Sequence, residues 1–251
     1  MKTCGPFLLF LCGPVAALGS VVVERYEHVK KCLSWHEAQS HCRSKFTDLG
    51  TIYEESDEET NLDSYSAWIG LHKTPRGGAW KWSYDSSEYR NWASQESSAT
   101  GDCVAISSRN KKMSAQNCEA RFPFVCLSTN LVLVREEKTW EEALRHCRAL
   151  GSSACGSREY DLVSVQPGDE REHVHVSAAV QEADTEEVWV GLRFLAGSWL
   201  WVNGATLLYP DLPSCPHPLQ RCGALPKRSA GGGFLLADCA ERRNFLCYRK
   251  Q

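Results

Sequence analysis

The chain lacks a surplus of either charge: 28 Lys and Arg stand against 31 Asp and Glu, a formal net charge of −3. A protein built to hold nucleic acid concentrates cations on one face, so nucleic acid is excluded as the main partner. No apolar run approaches the roughly 20 residues that a membrane-spanning helix needs. The longest, residues 7–18, is interrupted by Gly13 and Pro14. No Asn-x-Ser/Thr triplet occurs, so no N-linked glycan is expected. Hydrophobic residues at 43% and charged residues at 24% are ordinary for a globular chain and exclude a disordered one.

What the chain does have is cysteine, 13 in 251 residues, together with nine tryptophans. That much cysteine points to disulfides and to an oxidising compartment. The N-terminus agrees. Lys2 precedes the short apolar run, and the small residues Gly19 and Ser20 follow it, the pattern of a secretory signal peptide over residues 1–19. Its removal takes Cys4 and Cys12 with it, leaving an odd number of cysteines in a secreted, extracellular chain with no membrane span.

The sequence repeats itself once. Trp35-His36-Glu37-Ala38 and Cys42 reappear as Trp140-Glu141-Glu142-Ala143 and Cys147. Trp68-Ile69-Gly70-Leu71 reappears as Trp189-Val190-Gly191-Leu192, and Trp80 and Trp82 as Trp199 and Trp201. Cys103, Cys118 and Cys126 have counterparts in Cys222, Cys239 and Cys247. A period of this length means two whole domains, since solenoid units run to roughly 20–50 residues. The expected domains are 21–127 and 128–249, with almost no linker.

Each copy is expected to open on a strand, 21–29 and 131–135, and to continue into a helix. Ser34 with Glu37, and Thr139 with Glu142, have capping-box spacing. Trp140, Ala143, Leu144 and Cys147 then form one apolar stripe at helical spacing. A second helix is expected over 167–182, with a shorter counterpart in the first copy. Short strands and Gly, Ser or Pro loops follow, so the fold class reads as α+β. The acidic stretch from Glu54 to Glu59 reads as the solvated start of that short helix, where negative charge suits the dipole.

Connectivity cannot be fixed from cysteine spacing alone, so the repeat has to help. Nested bridges are the simplest arrangement common to both copies: Cys42 with Cys126 around Cys103 with Cys118, and Cys147 with Cys247 around Cys222 with Cys239. Cys155 and Cys215, in the second copy, are expected to form an extra bridge. Cys32 is then left as a buried free thiol, an intermolecular bridge in a homodimer, or a partner of Cys155 or Cys215.

Trp-x-Glu-Ala-x-x-x-Cys, Trp-Ile-Gly-Leu, Trp-x-Trp, Asn91-Trp92 and a closing Phe-x-Cys together resemble the C-type lectin-like domain, twice over. The tandem copies are similar to fish soluble C-type lectins and to repeats of mannose-receptor and phospholipase-A2-receptor type. The resemblance implies, for each copy, two helices, two small antiparallel sheets, the nested disulfides and a long loop region that binds ligand. It places the Trp-x-Trp residues in sheet and core. It also implies carbohydrate binding, in innate defence or other extracellular roles, through a Ca²⁺ ion caged by about six to eight oxygens.

The ion's ligands are poorly preserved. The family's Glu-Pro-Asn is here Glu96-Ser97-Ser98 and its Trp-Asn-Asp is Met113-Ser114-Ala115, so Glu96 alone remains as a carboxylate of the sugar-linked ion, while Asp102, before the next cysteine, matches a ligand of an accessory ion. Glu96, Ser98, Asp102 and Ser114 are the candidate ligand-binding residues, and they make a poor cage for a hard cation. In the second copy Tyr209-Pro210-Asp211 and Phe234-Leu235-Leu236 stand at the corresponding places. No Ca²⁺ or other cofactor is therefore expected. The expected function is recognition of a glycan by another route. The alternative is a protein-interaction module, dimeric through Cys32, that has lost sugar binding.

No catalytic residue is assigned, and no enzyme is expected. His36 and His41 lie i, i+5, about 140° apart around a helix, and cannot share a metal as an i, i+4 pair does. His173 and His175 fail in the same way, and both pairs are expected to be solvated. Gly231 to Gly233 reads as a flexible loop and not as a phosphate cradle.

Overall fold

The helix that opens each copy starts at a reciprocal cap. In α1 (Trp35–Lys45) the Glu37 carboxylate accepts from the Ser34 N–H at 3.0 Å, while Ser34 Oγ accepts from the Glu37 N–H. In α2 (Trp140–Ala149) Thr139 and Glu142 repeat both bonds. Two otherwise unpaired N–H groups are satisfied at each start. The structure is a computed structural model that describes residues 22–59, 66–74, 78–84, 87–94, 101–153, 156–157, 159–228 and 233–250.

Two units emerge, one over Val23–Thr129 and the other beginning at Asn130. The first contains β1 (Glu24–Leu33), α1, β2 (Asp48–Leu49), a 3-10 turn (Glu55–Glu59), β3 (Ser66–Lys73), β4 (Trp80–Trp82), β5 (Cys103–Ser107), β6 (Met113–Gln116) and β7 (Phe122–Thr129). The second contains β8 (Leu131–Lys138), α2, β9 (Ser152–Ser153), β10 (Gly156–Ser157), β11 (Tyr160–Leu162), α3 (Glu170–Gln181), β12 (Glu187–Leu195), β13 (Ser198–Trp201), β14 (Cys222–Pro226), β15 (Leu235–Ala237) and β16 (Arg243–Arg249). Both are α+β.

In the first unit the strand order is β1-β7-β3-β5-β6, with β2 on β7 and β4 on β3. The pair β1–β7 brings the two ends of the unit together, Glu24 facing Thr129. The second unit repeats the scheme as β11-β16-β12-β14-β15, with β8 also on β16 and β13 on β12. This corrects the expectation of two small antiparallel sheets. Each unit has one connected seven-stranded sheet, joined through a parallel contact of β3 with β7 and of β12 with β16.

The opening strands also run further than expected. β1 continues to Leu33 because Phe122 on β7 still offers it a partner, and β8 continues to Lys138 opposite Arg243. The second helix of the second unit starts at Glu170, since Asp169 caps it through the Glu172 N–H at 2.9 Å. Its first-unit counterpart is the 3-10 turn, where like charges one helical turn apart oppose a longer helix.

Side chains alternate across β3. Trp68 packs with Trp35, Ala38 and Cys42 on one face, while Ile69 and Leu71 pack with Trp82, Val104 and Ile106 on the other. Buried indoles are tied to backbone oxygens, Trp35 to Ile69 at 2.8 Å and Trp68 to Leu33 at 2.9 Å. Trp140 and Trp189 do the same to Val190 and Lys138. The glycine of each Trp-x-Gly-Leu element is needed for close approach. A Cβ on Gly70 would sit 3.2 Å from the Leu49 carbonyl, and one on Gly191 3.0 Å from the Leu162 carbonyl.

The bridges join Cys42 to Cys126, Cys103 to Cys118, Cys147 to Cys247 and Cys222 to Cys239. The expected bridge to Cys215 lies outside the described residues at Cys155. Cys32 is a free thiol but an exposed one, not the buried thiol of the first alternative, because it lies on β1 within a register irregularity. His175 is likewise not solvated: it is fully buried on the inner face of α3, and His173 Nε2 lies 2.8 Å from the Gln166 carbonyl. Of the loop Gly231 to Gly233, only Gly233 is described, with nothing within 4 Å of the place its Cβ would take.

Candidate ligand-binding site

The long-loop region of the first unit is reached through a short strap, residues 87–93. Its anchor is Glu58, which is 2% exposed. The Glu58 carboxylate accepts from the Tyr89 hydroxyl at 3.1 Å and from Asn91 Nδ2 at 2.9 and 3.1 Å. Asn91 Oδ1 in turn accepts from the Lys112 amine. The acidic stretch is thus not wholly solvated as expected. Asp57 and Glu58 turn inward, Asp57 to accept from the Tyr53 N–H at 2.8 Å and Glu58 to hold the strap. Burial, reinforced by the Glu58 carboxylate, pushes the Tyr89 hydroxyl up to about 12. The strap's backbone then pairs with the start of β6, Met113 N–H to Asn91 O at 2.8 Å and Ala93 N–H to Met113 O at 2.9 Å.

Glu96 and Ser98 lie outside the described residues. The chain returns at Gly101, which packs so closely on β6 that a Cβ there would come within 2.2 Å of the Gln116 backbone. Lys73 holds this return. Its ammonium donates to the Gly101 carbonyl at 3.1 Å, pairs with Asp102 at 3.2 Å and sits 5.0 Å from the centre of the Trp80 ring. Asp102 is 70% exposed, yet its charge is already matched by Lys73.

Ser114 is elsewhere. Register pairs Met113 with Ile106 and Ala115 with Val104, so these side chains share the face that Lys73 and Trp80 border. Ser114 and Gln116 alternate to the opposite face, where Gln116 Nε2 donates to Ser114 Oγ at 3.2 Å. Asp102 immediately precedes Cys103, whose partner in register is Gln116, so Asp102 falls on the Val104 side. The structure does not bring Asp102 and Ser114 together. Among the described residues the donors fit a Ca²⁺ ion poorly: one carboxylate bound to an ammonium, one hydroxyl on the other face, and the methyl of Ala115. Among the described residues no cluster of three His, Cys, Asp or Glu could hold a metal.

The corresponding region of the second unit is apolar. Trp201, Tyr209 and Phe234 form an edge-to-face trio with centroids 4.8–6.4 Å apart. Burial, with the Glu172 charge second, pushes Tyr209 up to about 12. Trp199 packs on Phe194 at 5.3 Å, and its indole N–H donates to the Pro213 carbonyl at 2.8 Å. The Trp-x-Trp residues are therefore sheet and core residues, although Trp80 is only half-buried. In the same unit Leu195, Leu208, Leu219 and Leu235 are exposed, at 57, 54, 56 and 39%, and Leu208 and Leu235 adjoin Tyr209 and Phe234 in the chain. Sequence reasoning did not single out these leucines, since only the fold shows which of them turn outward.

Comparison with known proteins follows the same division. The family model described as "Lectin C-type domain" matches residues 31–128 and again 136–249. Human lymphocyte antigen 75 is 25% identical over 271 residues, covering 89% of this chain and 15% of that protein. Human secretory phospholipase A2 receptor is 23% identical over 263 residues, covering 86% of this chain and 17% of its own length. The chain thus spans about a sixth of the curated relatives it matches. Among solved structures, human lithostathine at 1.3 Å resolution is 26% identical with a TM-score of 0.39, covering 43% of this chain and 84% of that one. The carbohydrate-recognition domain of the mouse scavenger receptor C-type lectin is 20% identical with a TM-score of 0.39, covering 42% and 89%.

Proposed function

The chain belongs to the C-type lectin domain family, which its sequence matches twice. From that premise we propose that it is a secreted, non-enzymatic binding protein that recognises a carbohydrate without a Ca²⁺ bridge. Residues 1–19 serve as its signal peptide, and the domains 21–127 and 128–249 follow. The observation that carries the reading is the state of β6: where the family's Trp-Asn-Asp supplies ligands of the sugar-linked ion, Ser114 Oγ already accepts from Gln116 Nε2 at 3.2 Å and Ala115 offers a methyl. The second domain supports it, with Leu235 and Leu236 at the corresponding strand.

A glycan array probed with the secreted protein in millimolar Ca²⁺ and in EDTA tests the proposal. Equal binding in both is expected. Binding that vanishes in EDTA would show that Glu96 and Asp102 still build the usual site, and would overturn the reading.

One observation favours a second reading. Leu208 and Leu235, chain neighbours of Tyr209 and Phe234, are 54 and 39% exposed, and exposed apolar side chains are what protein partners cover. In that reading the chain is a protein-interaction module that has lost sugar binding, and the exposed thiol of Cys32 links it to a second copy. Silence on the array in both buffers, with loss of partner binding in Leu208→Asp, is its expected result.

A further inference from the structure

We propose that the groove between β1 and α1 of the first domain binds a tetrahedral oxyanion, the sulfate group of a sulfated polysaccharide. The groove is a shallow depression of about 580 Å³, open to solvent over most of its boundary, and distant in sequence from the long loop. Lys31 of β1 and His36, Glu37, Ser40 and His41 of α1 line it. Lys31, the Ser40 hydroxyl and either one of the imidazoles, which stand about 140° apart around α1, supply donors, and an open trough accepts a group carried on an extended chain.

The lone carboxylate among these residues is committed elsewhere. Glu37 accepts from the Ser34 N–H and hydroxyl at 3.0 and 3.1 Å and lies 3.7 Å from Arg121. Lys31 and Lys45 form no ion pair among the described residues, and the opposing groove charge, Glu37, feels Arg121 before it feels Lys31. His41 reports the field of the two lysines. Its pKa is pushed below the ordinary value by burial first, and then by Lys45 and Lys31.

The second domain supplies an internal control, because the same fold carries the opposite chemistry there. Glu136, Glu141 and Leu150 take the places of Lys31, His36 and Lys45. Glu136 is paired with Lys138 at 2.7 Å, and Glu141 with Arg193 at 2.8 Å. The histidine alone recurs: His41 stands edge-on to Phe124 at 5.3 Å, and His146 to Phe245 at 5.1 Å. A packing role accounts for a residue found in both copies. It does not account for Lys31 and His36 standing in one copy where the other has the paired carboxylates Glu136 and Glu141.

The test uses the full chain with ¹³C-labelled histidine, in EDTA and at constant ionic strength. It is titrated separately with sodium sulfate, a heparin-derived sulfated disaccharide and sodium chloride. Saturable shifts of the His36 or His41 ring signals with sulfate and disaccharide are expected, tighter for the disaccharide, with His146 unmoved. Lys31→Glu, which installs the residue type of the second domain at an exposed site, should weaken both by at least about tenfold, or about 1.4 kcal/mol. Shifts that chloride reproduces, or that Lys31→Glu leaves unchanged, would overturn the site. A disaccharide no tighter than free sulfate would overturn the polysaccharide as its ligand. Because EDTA is present throughout, either failure leaves the calcium-independent reading standing.

Discussion

Replacing Glu58 by Ala should destabilise the first domain by about 2 kcal/mol, because it strips an acceptor from two half-buried donors at about 1 kcal/mol each, Asn91 keeping its bond to the Lys111 carbonyl at 3.3 Å. The donors are the Tyr89 hydroxyl and the Asn91 amide, which together place three hydrogen bonds on this carboxylate. Glu58→Gln keeps an oxygen for Tyr89 but turns an NH₂ toward the NH₂ of Asn91, so about half the loss is expected. Urea unfolding read by tryptophan fluorescence gives the free energies. A second readout separates this network from general damage. Two of the causes that raise Tyr89 to about 12 come from Glu58, while desolvation, the largest, remains. An acid whose folded pKa is raised contributes stability below its unfolded value near 10 and loses it as pH rises toward 12. In the Gln variant, absorbance at 295 nm should therefore show one tyrosine ionising at lower pH than in the parent. An Ala variant within about 0.5 kcal/mol of the parent, the range of ordinary surface changes, would refute the anchoring role.

The disulfides should differ in worth by the loops they close. Removing Cys42–Cys126, separation 84, is expected to cost about 4.5 kcal/mol, against about 3 kcal/mol for Cys103–Cys118, separation 15. Guanidinium unfolding of the two paired Cys→Ala variants measures this, and a larger loss from the short bridge would contradict it. Ser34→Ala and Thr139→Ala should each lose about 1 kcal/mol of stability by breaking one capping box. Cys32 should react with a thiol reagent in the native protein, and Cys32→Ser should remove that signal. If it links two chains, non-reducing gels will show a band that falls to half its mass on reduction; the same monomer band with and without reductant would rule the link out.

The framework was legible because it is written in residues that few other arrangements could use. Paired Ser34/Glu37 and Thr139/Glu142, and the recurrence of each cysteine, pointed to helix starts and nested bridges before any coordinates. What sequence left hidden depends on which way a side chain turns. Glu58 sits in a run of acids that reads as solvent-facing, yet tertiary packing draws it inward to Asn91. His175 reads as a surface residue beside His173, but the phase of α3 buries it with Val176 and Val180. The partner of Asp102 was equally invisible, since Lys73 reaches it across a strand pair and not along the chain. Ser114 and Ala115 stand together in the sequence, but register turns them to opposite faces of β6.

The central claim is that Ca²⁺ is not the bridge to ligand, and calorimetry tests it most directly. The full chain is unfolded by heat in 5 mM CaCl₂ and in EDTA, with ionic strength matched. A site with a Kd one-hundredth of the calcium concentration would add about 2.7 kcal/mol to the folded state. For a domain of roughly 100 residues that is a rise in Tm of about 10 °C or more. Coincident transitions in the two buffers are the predicted result. A calcium-dependent rise of that size, lost in Asp102→Asn, would contradict the account.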